Sequence, residues 1–490
     1  MKQLKEEIRK AHNQHKLLAP AMEIAMSTTI TNTINTLSNK RITNLTTLTI
    51  CPSSFSSLKL KNKNNSTFIL CCSKPTSGEV NAKDENMAID SNSHSRNESN
   101  EAYVASNEAF SCSNSAYSRG LVFALGQKKS WDDLEIGSPV VKRYLSDDEE
   151  RWNMWYHGRS STNSRIDSIG VAVSSNGVHW ERGAGQAISR GDVGMVMSCG
   201  DDWWAFDTQS VRPSEIVIMS SSKVKADSSV YWLYYTGFSS EQIEFLDNSL
   251  DFSLENPERV NNNGGDYENG GNGKVFKSLP GLAMSQDGRH WARIEGEHHS
   301  GALLDVGSNG EWDSLFIASP QVVFHGNADL RMYYHSFDVE KGHFAVGIAR
   351  SRDGMKWLKL GKILGGGSIG SFDEYGAVNA RVVRKQRDGK YMMVYEGVDA
   401  NGRKRVGIAV SPDGLKNWKR PQDGPVLEES RDGWDSEGIG SPCLVQINGD
   451  EEEWRLYYRG IGKEGRTGIG MAISKGDDLT SFKKWTGFHM

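Results

Sequence analysis

Residues 311–359 carry, in order, Glu311-Trp312-Asp313, Ser319-Pro320-Gln321-Val322-Val323, Met332-Tyr333-Tyr334-His335, Val346-Gly347-Ile348-Ala349 and Asp353-Gly354-Met355-Lys356-Trp357. The same order returns at Trp434-Asp435, Ser441-Pro442, Leu456-Tyr457-Tyr458-Arg459-Gly460 and Gly468-Ile469-Gly470-Met471-Ala472-Ile473-Ser474. A further copy runs from Phe372-Asp373 to Asp413-Gly414-Leu415-Lys416-Asn417-Trp418. Two earlier ones run from Trp131-Asp132 to Asn176-Gly177-Val178-His179-Trp180 and from Asp207 to Asp287-Gly288-Arg289-His290-Trp291. A unit that cannot bury its own apolar face must stack against its neighbours, so such a repeat predicts a closed array. Trp357, Trp418 and Trp485 stand 61 and 67 residues apart, which suits four short strands and their loops. Asp-Gly and Asn-Gly are tight-turn signals, and runs such as Arg331-Met332-Tyr333-Tyr334 are aromatic, β-branched or apolar and bounded by turn residues. The expected fold is therefore all-β, with five four-stranded antiparallel blades closing into a propeller.

Outward from the repeats, the chain of 490 residues divides into a leader at 1–72, a Ser-, Asn- and Glu-rich linker at 73–118 expected to be disordered, and the propeller at 119–490. Between Met22 and Leu70 the only acidic residue is Glu23, set against Lys40, Arg41, Lys59, Lys61 and Lys63. This acid-poor, hydroxyl-rich composition resembles an organellar transit peptide, plastid-like because arginine is scarce, and predicts the chloroplast stroma; a polar tail is the other reading. Initiation at Met22 or Met26 and a cut near Cys71-Cys72-Ser73 fit the signal. Leu121-Val122-Phe123-Ala124-Leu125 is expected to pair with the last blade and close the ring. Residues 239–278, rich in Asn and Gly, read as a long polar insertion between two strands of the second blade.

Composition bounds the partners. Net charge is −5 with no basic stripe, which argues against a nucleic-acid surface. No stretch approaches the roughly 18 to 20 apolar residues that cross a bilayer, so a soluble protein without a membrane partner is expected. Of six cysteines only Cys199 and Cys443 fall in the repeats, giving neither a disulfide framework nor metal-ligand spacing.

A residue present in every blade serves folding, whereas a single site must break the pattern. The aspartates of the aromatic-Asp pairs are assigned on that ground to turns and blade-to-blade hydrogen bonds, and the tryptophans after Asp-Gly to blade packing. Two aligned positions vary. At the start of the strand expected to line the channel stand Ser138, Arg212, Ser319, Asn379 and Ser441; directly after the paired aromatics of the next strand stand His157, Thr236, His335, Glu396 and Arg459. Because the second strand returns antiparallel to the first, both sets are expected to ring one mouth of the channel. Non-repeated charges nearby are Asp207, Glu215, Glu374, Arg381 and Glu437. Sugars suit carboxylates and amides backed by aromatics, while a sugar phosphate or phosphate suits Arg212 and Arg459.

The recurring W-D-S-x-x-x-x-S-P, Y-Y-x-G and G-x-A-x-S-x-D-G-x-x-W elements resemble the five-bladed propellers of the arabinanase, levansucrase and invertase superfamily, which includes glycoside hydrolase families 32, 43 and 130. The likeness covers about residues 121–490. It implies carboxylates on the first strands of the first three blades, but the corresponding segments read Gly137-Ser138-Pro139, Val211-Arg212-Pro213 and Ala318-Ser319-Pro320, without the family's acidic residues. Three readings follow. A glycosidase with relocated carboxylates would use Glu396 as proton donor with Asp207, Glu374 or Glu437 as partner, and His157, Arg212, His335, Asn379, Arg381 and Arg459 for substrate. A phosphorylase would hold phosphate on Arg212, Arg459 and a histidine. A non-catalytic propeller would bind a sugar or a protein partner. No metal motif is present and no cofactor is expected, although the resemblance implies that a channel Ca2+ ion near His335 is possible.

Overall fold

The computed structural model describes residues 119–145, 150–183, 193–219, 230–244, 274–326, 328–385, 387–447, 453–476 and 479–487. The leader and linker expectations for residues 1–118 lie outside them. Strand β1 (Leu121–Ala124) precedes five sheets. Blade one contains β2 (Glu135–Leu145), β3 (Glu150–Ser160), β4 (Asn163–Ser174) and β5 (Glu181–Arg182), with β6 (Met195–Met197) also on β4. Blade two contains β7 (Ser210–Met219), β8 (Val230–Glu244), β9 (Lys274–Ser285) and β10 (Ala292–Ile294); blade three contains β11 (Ala318–Gly326), β12 (Asp329–Asp338), β13 (His343–Ser351) and β14 (Leu358–Leu364). Blade four has β15 (Ala377–Arg384), β16 (Tyr391–Val398) and β17 (Lys404–Ser411), with bridges Val406 to Leu427 and Val410 to Lys419 in its outer position. Blade five has β18 (Gly438–Ile447), β19 (Glu453–Ile461), β20 (Thr467–Lys475) and β21 (Lys483–Lys484). Strand β1 pairs antiparallel with β20, Phe123 opposite Ile469, so the ring is closed by the segment the sequence pointed to.

One chemical module is repeated in all five blades. The aromatic of the aromatic-Asp pair lies on a glycine of the third strand and, except in blade three, where Ser336 stands, on one of the second: a Cβ on Gly158 or Gly170 would stand 2.4 or 2.3 Å from the Trp131 ring. The ring also packs against a second-strand tyrosine, as in Trp312 to Tyr334 at 5.6 Å and Trp434 to Tyr458 at 5.6 Å between centroids. The neighbouring aspartate, buried, accepts that tyrosine's hydroxyl at 2.8–3.0 Å: Tyr156 to Asp132, Tyr235 to Asp207, Tyr334 to Asp313, Tyr395 to Asp373 and Tyr458 to Asp435. Arg182, Arg293, Lys359, Arg420 and Lys484 complete the five carboxylates at 2.5–2.8 Å. These side-chain bonds run within a blade, not between blades as the sequence suggested, because tyrosine, cation and aspartate belong to the same repeat.

Blade-to-blade ties come instead from the Asx-Gly turns. Each places glycine at positive φ, 69–80° for Gly177, Gly288, Gly354 and Gly414, and turns its carbonyl towards the preceding blade. Trp155 Nε1 donates to Gly288 at 3.0 Å, and the hydroxyls of Tyr234, Tyr333 and Tyr457 donate to Gly354, Gly414 and Gly177 at 2.7–3.1 Å. The following tryptophans pack on the same aromatics, Trp180 on Tyr457, Trp357 on Tyr234 and Trp418 on Tyr333. The ends of the insertion are ordered strand rather than loop: β8 and β9 stay paired beyond Phe238 and Ser278, through Gln242 with Phe276. Residues 245–273 lie outside the described residues. Asp435→Ala would leave the Tyr458 hydroxyl and Lys484 without their shared buried acceptor, and is expected to lower unfolding stability by ~3 kcal/mol in a urea titration.

Candidate functional site

Every first strand is interrupted near its start. Pairing skips between Gly137 and Val140, Pro213 and Glu215, Ala318 and Gln321, Val378 and Arg381, and Gly440 and Cys443. In four blades the residue in the bulge is a serine or asparagine held at positive φ: Ser138 46°, Ser319 51°, Asn379 49° and Ser441 47°. Such conformations cost about 1 kcal/mol or more each and persist where the surroundings impose them. The bulge separates the mouth, on the N-terminal side, from the far end of the channel.

Three of the expected ring residues are accounted for by neighbouring blades. Thr236 Oγ1 accepts the Ser319 backbone N–H at 2.9 Å, His335 Nδ1 accepts that of Asn379 at 3.3 Å, and Glu396 Oε1 accepts that of Ser441. Asn379 Nδ2 adds a bond to Glu396 Oε1 at 2.6 Å. Glu396 Oε2 is buried without a hydrogen bond, with Lys404 Nζ 3.9 Å away. The other two ring residues, His157 and Arg459, turn towards a residue that the aligned positions omit, Glu135. Arg459 Nη2 donates to its Oε1 at 2.8 Å, His157 Nε2 lies 3.4 Å from the same oxygen, and Arg159 Nη1 lies 2.8 Å from Oε2. Gly137 makes room: a Cβ there would stand 2.6 Å from Arg459 Cδ and 2.8 Å from His157 Cε1.

Glu135, Arg159 and Asp167 form a row across β2, β3 and β4, each directly opposite the next. Arg159 Nε donates to Asp167 Oδ1 at 2.6 Å, and Arg212 Nε from blade two donates to Asp167 Oδ2 at 2.8 Å. The same row reads Ser210, Phe238 and Ser278 in blade two and Gly438, Ile461 and Thr467 in blade five; its two outer members are Phe337 and Phe344 in blade three and Val398 and Lys404 in blade four. Blade one alone makes it charged throughout. Comparing this row, two residue pairs further out than the one chosen from sequence, is the signal that would have found Glu135, Arg159 and Asp167. Asp167 is fully buried, whereas Glu135 and Arg159 side chains keep 13 % and 16 % exposure and reach solvent at the mouth.

The other expected site residues fall elsewhere. Asp207 is the second-blade copy of the structural aspartate, consumed by Tyr235 and Arg293. Glu374 caps its own turn, accepting Gly370 N–H at 2.9 Å, and Glu437 is exposed just before β18. None of the three joins the Glu135 cluster. Arg381 lies past the bulge, in the far end of the channel. Among the described residues no three of His, Cys, Asp and Glu converge in a way that could hold a metal ion, and His335 Nδ1 accepts the Asn379 N–H.

Burial works to raise the Glu135 pKa, but the Arg459 guanidinium, the His157 bond and Arg159 together outweigh it and hold the carboxyl far below its usual range. Burial, with Arg212 nearby, pushes His157 down to about 4, against the attraction of Glu135 and Asp167. His157 is therefore neutral at pH 7. Its folded value lies below the ordinary 6.5, so between those values the unfolded state takes up the extra proton and stability falls as pH falls. Glu135 contributes only at lower pH, below the ordinary carboxylate range. His157→Gln is thus expected to flatten the pH dependence of unfolding between pH 6.5 and 4.5, removing up to ~1.4 kcal/mol per pH unit.

Comparisons with known proteins add relatives without a family assignment. No protein-family model matches the chain. The uncharacterized protein Rv1502 of Mycobacterium tuberculosis is 25% identical over 364 residues, covering 72% of this chain and 97% of that one. Among solved structures, a glycoside hydrolase matches with TM-score 0.48 and 17% identity over 73% of this chain and 93% of its own. A thermostable family-43 glycoside hydrolase matches with TM-score 0.48 and 14% identity over 72% and 94%. An N-acetylgalactosamine deacetylase from F. plautii, in complex with blood group B trisaccharide, matches with TM-score 0.48 and 14% identity over 75% and 97%. Likenesses this distant assign neither activity nor substrate.

Proposed function

We propose that this protein is a glycoside-hydrolase-like propeller that takes a carbohydrate at the blade-one side of the channel mouth. The observation that carries the reading is the charged row Glu135, Arg159 and Asp167, standing where the other blades have no such row. Folding does not call for it, since neutral groups tie the blades at Thr236 and His335. Carboxylates and guanidiniums locked against one another offer acceptors and donors in fixed directions, which suit neighbouring sugar hydroxyls. On the rim of blade two, Trp203 (88 % exposed) and Trp204 line a pocket of about 430 Å³ with His298, His299, Glu241 and Lys277. Flat aromatic faces beside charged groups match a ring with C–H faces and polar edges.

Glycoside cleavage takes two carboxyl groups with different protonation. Glu135, held ionised by Arg459 and Arg159, fits the carboxylate that attacks C1 or activates water. Glu396, whose Oε2 has no hydrogen-bond partner, fits the acid that protonates the leaving oxygen as the C1–O bond breaks. A second reading, a binding propeller without chemistry, is favoured by the complete enclosure of Glu396 and its tie to Ser441. Arg159, Arg212 and Arg459 would in either case favour a sugar carrying phosphate.

Calorimetry against neutral sugars and sugar phosphates, with aryl-glycoside turnover in parallel, tests these readings. Glu135→Gln is expected to weaken binding tenfold or more, about 1.4 kcal/mol. Glu396→Gln is expected to keep binding and lose turnover about 100-fold. Turnover indifferent to Glu396→Gln would remove it as the acid, and wild-type protein binding no sugar would end the carbohydrate reading. Asp207→Asn is expected to lower the melting temperature while leaving binding per folded molecule unchanged.

A further inference from the structure

Past the bulges, the far end of the channel holds a half-open cavity of about 360 Å³ whose polar lining is Lys142, Ser214, Glu215, Gln321, Arg381 and Cys443. Most of these groups are satisfied. Lys142 Nζ lies 2.5 Å from Glu215 Oε1, and Gln321 Nε2 donates to Glu215 Oε2 at 2.8 Å. The Gln321 amide also accepts from Val382 N and donates to Val382 O, both at 3.0 Å. Cys443 Sγ accepts the Val141 N–H at 3.4 Å, and burial raises its thiol pKa, so it stays neutral.

Arg381 is the exception. Its side chain is buried at 6% exposure and makes no hydrogen bond to any described residue, and its enclosed Nη1 faces no acceptor. Glu215 and Glu396 attract it only through space. Burial lowers the pKa of this guanidinium, yet arginine does not give up its proton inside proteins, so a charged group stands buried with its Nη1 unanswered. Glu215 is held instead by Lys142 and the Ile216 N–H at Oε1 and by Gln321 at Oε2.

We propose that this cavity binds a small oxyanion, a carboxylate or a phosphate group, in bidentate contact with Arg381 and with Lys142 beside it. The planar fork matches two oxygens of either group, and the net positive lining supplies the sign. The site lies across the bulges from Glu135 and Glu396 and does not depend on what the mouth binds.

The test is thermal unfolding of the full chain at pH 7 and constant ionic strength, with chloride replaced stepwise by inorganic phosphate or by acetate. A saturable rise of about 5 °C with at least one anion is expected, and the responding anion identifies the group. Arg381→Met is expected to abolish the rise while melting no lower than wild type in chloride, because it removes an unpaired buried charge. Glu135→Gln is expected to keep the rise, which separates this site from the mouth. Should Arg381→Met fail to fold, Lys142→Met, partly exposed at the cavity edge, is expected to shift the midpoint to severalfold higher anion concentration. No saturable rise with either anion, leaving water alone in the cavity, or an equal rise in Arg381→Met, or a midpoint unmoved by Lys142→Met, overturns the proposal.

Discussion

A carboxylate taken out of water must be met by fixed donors, and five such carboxylates hold this fold in register. Asp132, Asp207, Asp313, Asp373 and Asp435 each receive a tyrosine hydroxyl from the second strand of their blade and a cation from its outer edge. The aromatic beside each aspartate lies on a glycine of the third strand and, in every blade but the third, on one of the second. One dipeptide therefore binds the loop ahead of the first strand to the three strands that follow. That fixes where the first strand enters the channel, and with it the position of the bulge.

Because the module is fivefold, departures from it are informative. Thr236, His335 and Glu396 all accept a backbone N–H from the next blade, and two of them do so as neutral groups. In blade one the strategy changes: His157 and Arg459 converge on Glu135, and Asp167 bridges Arg159 to Arg212 of blade two. Interleaved charges of opposite sign lock each other's geometry, which is the kind of preorganisation a recognition site uses. The neutral His157 at the centre of this cluster is a direct consequence of burial beside guanidiniums.

The two ends of the channel treat charge differently. At the mouth, each guanidinium of the cluster has a carboxylate partner within 2.8 Å. At the far end the Glu215 carboxylate is spent on Lys142 and Gln321, leaving Arg381 without one. Past the bulge, the side chains facing inward are Val140, Glu215, Gln321, Arg381 and Cys443, five different residues at one equivalent position of the repeat.

The amino-acid sequence alone determined the five-bladed ring and its closing strand. These follow from local periodicity, turn chemistry and the recurrence of one unit, all of which are contiguous in the chain. It did not separate Asp207 from a catalytic acid, because blade two has Arg212 five residues after that aspartate where the other blades have six to the aligned position. It placed Arg381 at the mouth, because only the bulge after Val378 decides that a residue two positions past Asn379 faces the opposite end. Glu135, Arg159 and Asp167 are separated by 24 and 8 residues and become neighbours only through strand pairing. Their tertiary register, and the arginines it brings from blades two and five, decides which charges are balanced, and an electrostatic balance is a property of distances that no linear spacing contains.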